Sequence, residues 1–309
     1  MEYSECCGKG VGTEMIPDER LVERSWRAVW KILQKRQVQS IEEGTALITR
    51  LLEEGNLPDW VPETPLEKAQ EMVYQALAAP QREERIRLAK KALRLSRDCI
   101  DAYVVLAEEA ARGPEQALEW YLQGVDAARR LLRQVRSYGG RSAFLIVPEV
   151  EPARRAARGA ADCFFQLGRY DSALEYYGLA LHWKPGHDDG IRYDVLRCLM
   201  EKREIDAAET WLGQFPEDMT AERLYTLALI AFIRHGDGFE ARLQLQAAIE
   251  QNRSVVPYLT GRIPLPLSLP PDIAAGSVDE AALYAVDYLR IWLTTPGALE
   301  WLQAATKDL

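Results

Sequence analysis

Apolar side chains recur every three to four residues along most of the chain, the period of an amphipathic helix. The spacing predicts helices over Asp18–Lys35, Ser40–Glu54, Thr64–Ala79 and Ile86–Ser96. It predicts further helices over Asp188–Lys202, Glu204–Gln214, Ala221–His235 and Gly238–Gln251. Ser40 followed by Glu43 reads as a capping box, and Asp18 as an N-cap. The stretch Val256–Pro271 is different. It carries prolines at 257, 264, 266, 270 and 271, with apolar residues between them, and is expected to be extended and to lie against the helices. Ser277 with Glu280 then opens a helix to about Leu293. Thr295-Pro296 opens a last one to about Ala304, with Pro at the first helical position.

The pattern repeats. Ala173, Ala207 and Ala241 stand 34 residues apart, each followed four residues later by Tyr177, Trp211 or Leu245. A small residue where two helices cross, with a large one beside it, is what stacked helical hairpins require. The clearest unit runs from Cys163 to Pro185, with Gly168 at the turn, Ala173 and Ala180 at packing positions and Pro185 ending the second helix. Tyr103–Ala107 with Glu115–Leu122 gives a weaker unit, turning at Gly113-Pro114.

The Cys163–Pro185 unit resembles a tetratricopeptide repeat. Other stretches resemble the suppressor of tumorigenicity 7 family and its bacterial relatives: Asp98-Cys99, Asp101–Glu109, Gly190–Tyr193, Val256–Leu259, Leu269–Pro271, Ala275–Ala281 and Thr295–Leu302. That resemblance implies an interaction protein and carries no known catalytic residue. The expected fold is an all-α, right-handed helical-hairpin solenoid of about five tetratricopeptide-like repeats with helical caps. Its expected parts are a disordered tail (1–15), a helical N-terminal cap (16–62) and a repeat array (63–252) with an insertion near 134–151. A Pro-rich segment and C-terminal helical cap (253–309) complete it.

Composition narrows the function. Apolar residues make up 48% and charged residues 28%, enough for a packed core, which excludes a mostly disordered chain. The formal charge of −9 argues against a general nucleic-acid binder. The longest apolar run, Leu224–Ile233, is about half of what a membrane span needs. No secretory pattern stands at the N-terminus, and Cys6, Cys7, Cys99, Cys163 and Cys198 are read as thiols in a reducing cytoplasm.

The repeat register names an inner face. It holds Arg155, Arg158, Asp162 and Phe165, then Asp189, Arg192, Tyr193 and Leu196, then Arg223, Thr226 and Ile230. Arg158 and Arg192 fall at one repeat position by the 34-residue count. Arginine forks hold carboxylates through two parallel hydrogen bonds, so an acidic partner, or one with a free C-terminal carboxylate, is the expected ligand. The competing reading is arginines paired with neighbouring acids such as Asp162, Asp189 or Glu222. A basic run of Arg129, Arg130, Arg133, Arg136 and Arg141 reads as solvated surface, with an anionic partner as the alternative. His182, His187, Asp188 and Asp189 fit no closed zinc pattern. Gly8–Thr13 lacks the spacing of a phosphate loop. No catalytic set, cofactor or metal is expected.

The expected function is a non-enzymatic cytoplasmic adaptor or scaffold that binds a protein or peptide in its concave groove. A ligand- or peptide-gated sensor controlling a second protein is the alternative. Self-association through Trp26 and Trp30 is a further option.

Overall fold

The computed structural model describes residues 18–36, 41–53, 59–144, 147–184, 190–270 and 272–307, with side chains on the sixth helix described as far as Arg133. The expected tail at 1–15, Cys6, Cys7, the glycine run at 8–13, the Ser40 cap, Pro185, His187, Asp188 and Asp189 lie outside the described residues. The fold is all-α, and no strand occurs among the described residues. The chain divides into two compact units. One lies within 11–191, and the other contains Arg192 onward.

The first unit begins with a short 3-10 turn, Glu19–Val22, capped by the Asp18 carboxylate. It runs into α1 (Glu23–Lys35), followed by α2 (Ile41–Glu53). Three hairpins follow: α3 (Pro65–Ala78) with α4 (Arg82–Leu95), α5 (Ile100–Ala110) with α6 (Pro114–Phe144), and α7 (Val150–Gln166) with α8 (Tyr170–Trp183). A complete capping box starts α3. Thr64 Oγ accepts from Glu67 N–H at 3.2 Å, and the Glu67 carboxylate accepts from Thr64 N–H at 2.9 Å. Pro65 occupies the first turn, where a missing N–H costs nothing.

The expected insertion near 134–151 begins within a helix. Helix α6 continues to Phe144, so most of the extra length prolongs a helix. Helices α6 and α7 approach closely at Gly159. A Cβ there would lie 2.3 Å from the Tyr121 ring. At the α7–α8 turn Gly168 takes φ +70°, the left-handed conformation that glycine reaches without a Cβ penalty.

The second unit holds α9 (Ile191–Glu201) from its second residue on, α10 (Ile205–Leu212), α11 (Ala221–His235) and α12 (Phe239–Gln251). Then come α13 (Val255–Leu259), α14 (Val278–Leu293) and α15 (Ala298–Ala305). The alanine positions of the repeat are buried: Ala173, Ala180, Ala241 and Ala248 are all at 0% exposure. The fourth hairpin corrects the 34-residue count. Ala207 is exposed and Ala208 is fully buried, with Leu212 rather than Trp211 filling the adjacent hole. The turns agree. Arg169 N–H donates to Phe164 O in one hairpin, and Glu204 N–H to Leu199 O in the next, a shift of 35 residues. Arg203 therefore stands where Gly168 does, at φ +60°. Its guanidinium donates to the Thr294 carbonyl and to the Thr294 and Thr295 hydroxyls at 2.7–2.8 Å, which holds that backbone in place.

The Pro-rich stretch also departs from expectation. Val255–Leu259 is helical, because Pro257 sits in the first turn, where no N–H is needed. Arg262 and Ile263 N–H both close onto Pro257 O. From there residues 261–268 are exposed rather than packed, with Leu267 fully in solvent. Ser277 caps α14 by accepting from Glu280 N–H at 3.0 Å. The Glu280 carboxylate does not return to Ser277. It accepts from Gly276 and Ala221 N–H and from the Asn252 amide, tying α11, α12 and α14 together. Helix α15 starts at Ala298 after Gly297, so Pro296 precedes its N-cap instead of opening it. Helices α14 and α15 pack on α11 through Phe232, Trp292 and Trp301, with rings 4.6 Å apart for Phe232–Trp301.

Candidate partner-binding faces

In the first unit, the leading helices α3, α5 and α7 pack side by side, and the chain's own front helix lies across them. The contacts follow from sequence spacing. Arg24, Arg27 and Lys31 recur at three and four residues, which places them on one side of α1, and Arg20 precedes them by four residues in the 3-10 turn. Each meets a partner from the repeat. Arg20 reaches Glu108 on α5 at 3.0 Å, and Arg24 reaches Glu71 on α3 at 3.0 Å. Lys31 lies 3.1 Å from Glu67 and donates to Val61 O at 2.7 Å. Arg27 is 5% exposed. It donates to Tyr74 Oη at 2.9 Å, pairs with Glu149 at 2.7 Å and sits over the Trp60 ring.

Arg155, expected to face a partner, belongs to this contact. Its guanidinium bonds the Glu23 carboxylate of α1 and the Asp101 carboxylate of α5, the latter at 3.0 Å. Asp101 is fully buried and also accepts from the Gln70 amide at 2.9 Å. Burial works against its charge, yet Arg155, Arg20 and Gln70 hold its carboxyl below the usual range. Burial raises Glu23 above the ordinary carboxylate value, against the nearby Arg155. Trp26 and Trp30, read as a self-association option, pack with Val29, Leu33 and Leu47 between α1 and α2.

Asp162 accepts from Tyr177 Oη of α8 at 2.6 Å, inside its own hairpin. Arg158 lies half-exposed on α7, and Phe165 packs on Tyr170. In the basic run, Arg129 pairs with Asp126 at 3.5 Å and lies over Tyr176, and Arg130 pairs with Asp98 at 2.8 Å. Arg133 is exposed, while Arg136 and Arg141 lie beyond the described side chains. His182 lies on α8.

In the second unit the sequence-predicted residues Arg192, Tyr193 and Arg223 come together. They meet at the loop between α10 and α11. The Tyr193 hydroxyl donates to Asp218 at 2.9 Å and accepts from Arg192 at 2.8 Å and from Thr220 at 3.1 Å. Burial and the neighbouring Asp218 push Tyr193 up to about 12. Arg192 stacks on Tyr193 and Phe215 and lies 3.5 Å from Asp218. Arg223 donates to the Asp218 carbonyl at 3.3 Å, and its buried Nε has no hydrogen-bond partner among the described residues. Leu196 is fully buried and belongs to the core.

The 35-residue shift removes the equivalence of Arg158 and Arg192. Tyr193 stands at the position of Arg158, and Arg197 at that of Asp162. Thr226 and Ile230 keep the expected register in α11 and are buried. The inner-face residues missed in the sequence are Arg197 and Asp287, which form an ion pair between α9 and α14. The signal for α14 was present as an aromatic period, Tyr284, Tyr288 and Trp292, rather than as the alanine pattern. Glu222 lies beside them, 5% exposed. Burial pushes its carboxyl up to about 7, reinforced by Glu280, Asp287 and Asp218 and opposed by its own backbone N–H.

Among the described residues, no group of three or more His, Cys, Asp or Glu could hold a metal ion, and no helix is long and apolar enough to cross a membrane. Paired helices with buried alanines at the crossings make an all-α, tetratricopeptide-like helical-repeat fold. The tetratricopeptide-repeat family model matches residues 164–231. The chain is similar to suppressor of tumorigenicity 7 protein-like of Homo sapiens, at 27% identity over 247 residues. That match covers 71% of this chain and 42% of the human one. The Bos taurus protein of that name matches equally, and the Danio rerio protein at 27% over 238 residues. The chain spans about two fifths of the length of these relatives.

Proposed function

We propose that the protein is a non-enzymatic scaffold that binds a segment of another protein at Arg192, Tyr193 and Arg223. The segment is acidic or ends in a free carboxylate. The observation that carries this reading is the buried Arg223 Nε–H, which lacks an acceptor among the described residues beside a second guanidinium, that of Arg192, at Asp218. A buried donor without a partner costs about 1–3 kcal/mol, which an incoming carboxylate relieves. Tetratricopeptide repeats as a class mediate protein–protein contacts, in keeping with the match at 164–231. The buried thiols of Cys99, Cys163 and Cys198 suit a reducing compartment, and this reading assigns the cytoplasm.

The test is fluorescence anisotropy with labelled acidic peptides, each in free-acid and C-terminally amidated form. An Arg192→Ala/Arg223→Ala variant is expected to lose at least tenfold in affinity while keeping its thermal transition. Equal affinity for wild type and variant overturns the assignment.

A further inference from the structure

The inner face of α3, α5 and α7 is acidic and already holds a ligand: residues 18–36 of the same chain. Glu67, Glu71, Asp101, Glu108 and Glu149 line it, with the guanidinium of Arg155 among them. The occupant is a 3-10 turn running into a helix, with Arg20 on the turn and Arg24, Arg27 and Lys31 on the facing side of α1. We infer that this face is a receptor for cationic amphipathic helices. Segment 18–36 occupies it in cis, and a partner helix with cations at i, i+4, i+7 and i+11 displaces that segment.

Three observations support displacement. The outer pairs are only part-buried: the side chains are 49% and 20% exposed in Arg24–Glu71, and 16% and 37% in Arg20–Glu108. Exposed pairs hold weakly and are screened by salt. The apolar residues Val29 and Leu33 of α1 face α2 instead of the repeat, so α1 and α2 form a body with its own cohesion. Toward Trp60, Tyr74 and Leu77 the front segment presents Leu21 and Ala28. Finally, α1 does not seal against the start of α7. An open cleft of about 330 Å³ runs between Val22, Glu23 and Trp26 on one side and Val147, Pro148 and Lys184 on the other.

This proposal concerns different residues and the opposite charge from the Arg192–Arg223 reading, and stands without it. The probe is a fluorescein-labelled peptide of residues 18–36, titrated into the full chain. Wild type, whose face is occupied, is expected to bind it weakly. A release variant, Arg20→Glu/Arg24→Glu/Lys31→Glu, is expected to bind at least tenfold more tightly at low salt and to weaken as salt rises. Adding Glu71→Gln/Glu108→Gln to the release variant, which removes the acids without creating new partners for the introduced glutamates, is expected to weaken binding at least tenfold. A release variant that binds no more tightly than wild type overturns the inference, as does equal binding of a scrambled peptide. Hydrogen exchange on unaltered wild type covers a release variant that fails to fold. Excess peptide is expected to speed exchange of the α1 amides, and unchanged protection overturns the inference.

Discussion

Replacing Gly159 with alanine tests how α6 and α7 meet. In a helix interior alanine is favoured over glycine by about 0.5–1 kcal/mol, so propensity alone makes Gly159→Ala stabilising. The packing reverses the sign. The added Cβ would fall 2.3, 2.4 and 2.7 Å from three atoms of the Tyr121 ring. Carbon contacts normally begin near about 3.5 Å. Relief requires the ring to move by about 1 Å or the helices to part, and overpacking of this kind costs about 1–3 kcal/mol. Tyr121 is only half-buried and yields in part. After the propensity gain the expected net loss is about 1–2 kcal/mol. The assay is urea unfolding of wild type, Gly159→Ala, Tyr121→Leu and the double variant. Tyr121→Leu removes the clashing ring, so Gly159→Ala made in that background should be neutral or stabilising. Gly159→Ala as stable as wild type would refute the close approach of the two helices. So would a penalty that persists undiminished once the Tyr121 ring has been removed.

Two further predictions concern the second unit. Glu222 holds its proton to about 7 in the folded chain, against an ordinary 4.5, so the folded state binds more protons across that window. Stability contributed by this group therefore falls as pH rises from about 4.5 to 7. Glu222→Gln is expected to add about 1–3 kcal/mol at about pH 8 and almost nothing at about pH 4.5, measured by denaturant unfolding at both values. An equal effect at both pH values would contradict the assignment. The corrected register predicts that Ala208→Leu destabilises by about 1–3 kcal/mol, whereas Ala207→Leu on the exposed side stays within about 0.5 kcal/mol. Thermal melts of the two variants distinguish the registers, and the reverse order would restore the 34-residue count.

Helix period, hairpin pairing and the repeat class were legible because each hairpin writes its own packing locally. Ala173, Tyr177, Ala180, Ala241, Leu245 and Ala248 are buried where the period puts them. The count slipped by one residue in α10 because two adjacent alanines, 207 and 208, both satisfy a small-residue pattern. Only burial separates them. The partnership of Glu23, Asp101 and Arg155 was invisible for another reason. It joins residues 54 and 132 positions apart, and no local period encodes such a distance. The cationic stripe 20, 24, 27 and 31 was in plain view in the sequence, but its destination was not. Arg192, Tyr193 and Arg223 were named from the repeat register and lie together in the fold, although Arg192 was reached through a count that the turn geometry corrects.

One titration series tests the central claim, that the two units carry faces of opposite charge preference. An acidic free-acid peptide and the basic 18–36 peptide are each titrated into the release variant alone, with Arg192→Ala/Arg223→Ala added, and with Glu71→Gln/Glu108→Gln added. The expected result is a double dissociation: the arginine substitutions weaken only acidic-peptide binding, and the glutamate substitutions only basic-peptide binding. Loss of both peptides from either set, or of neither from both, would contradict the claim.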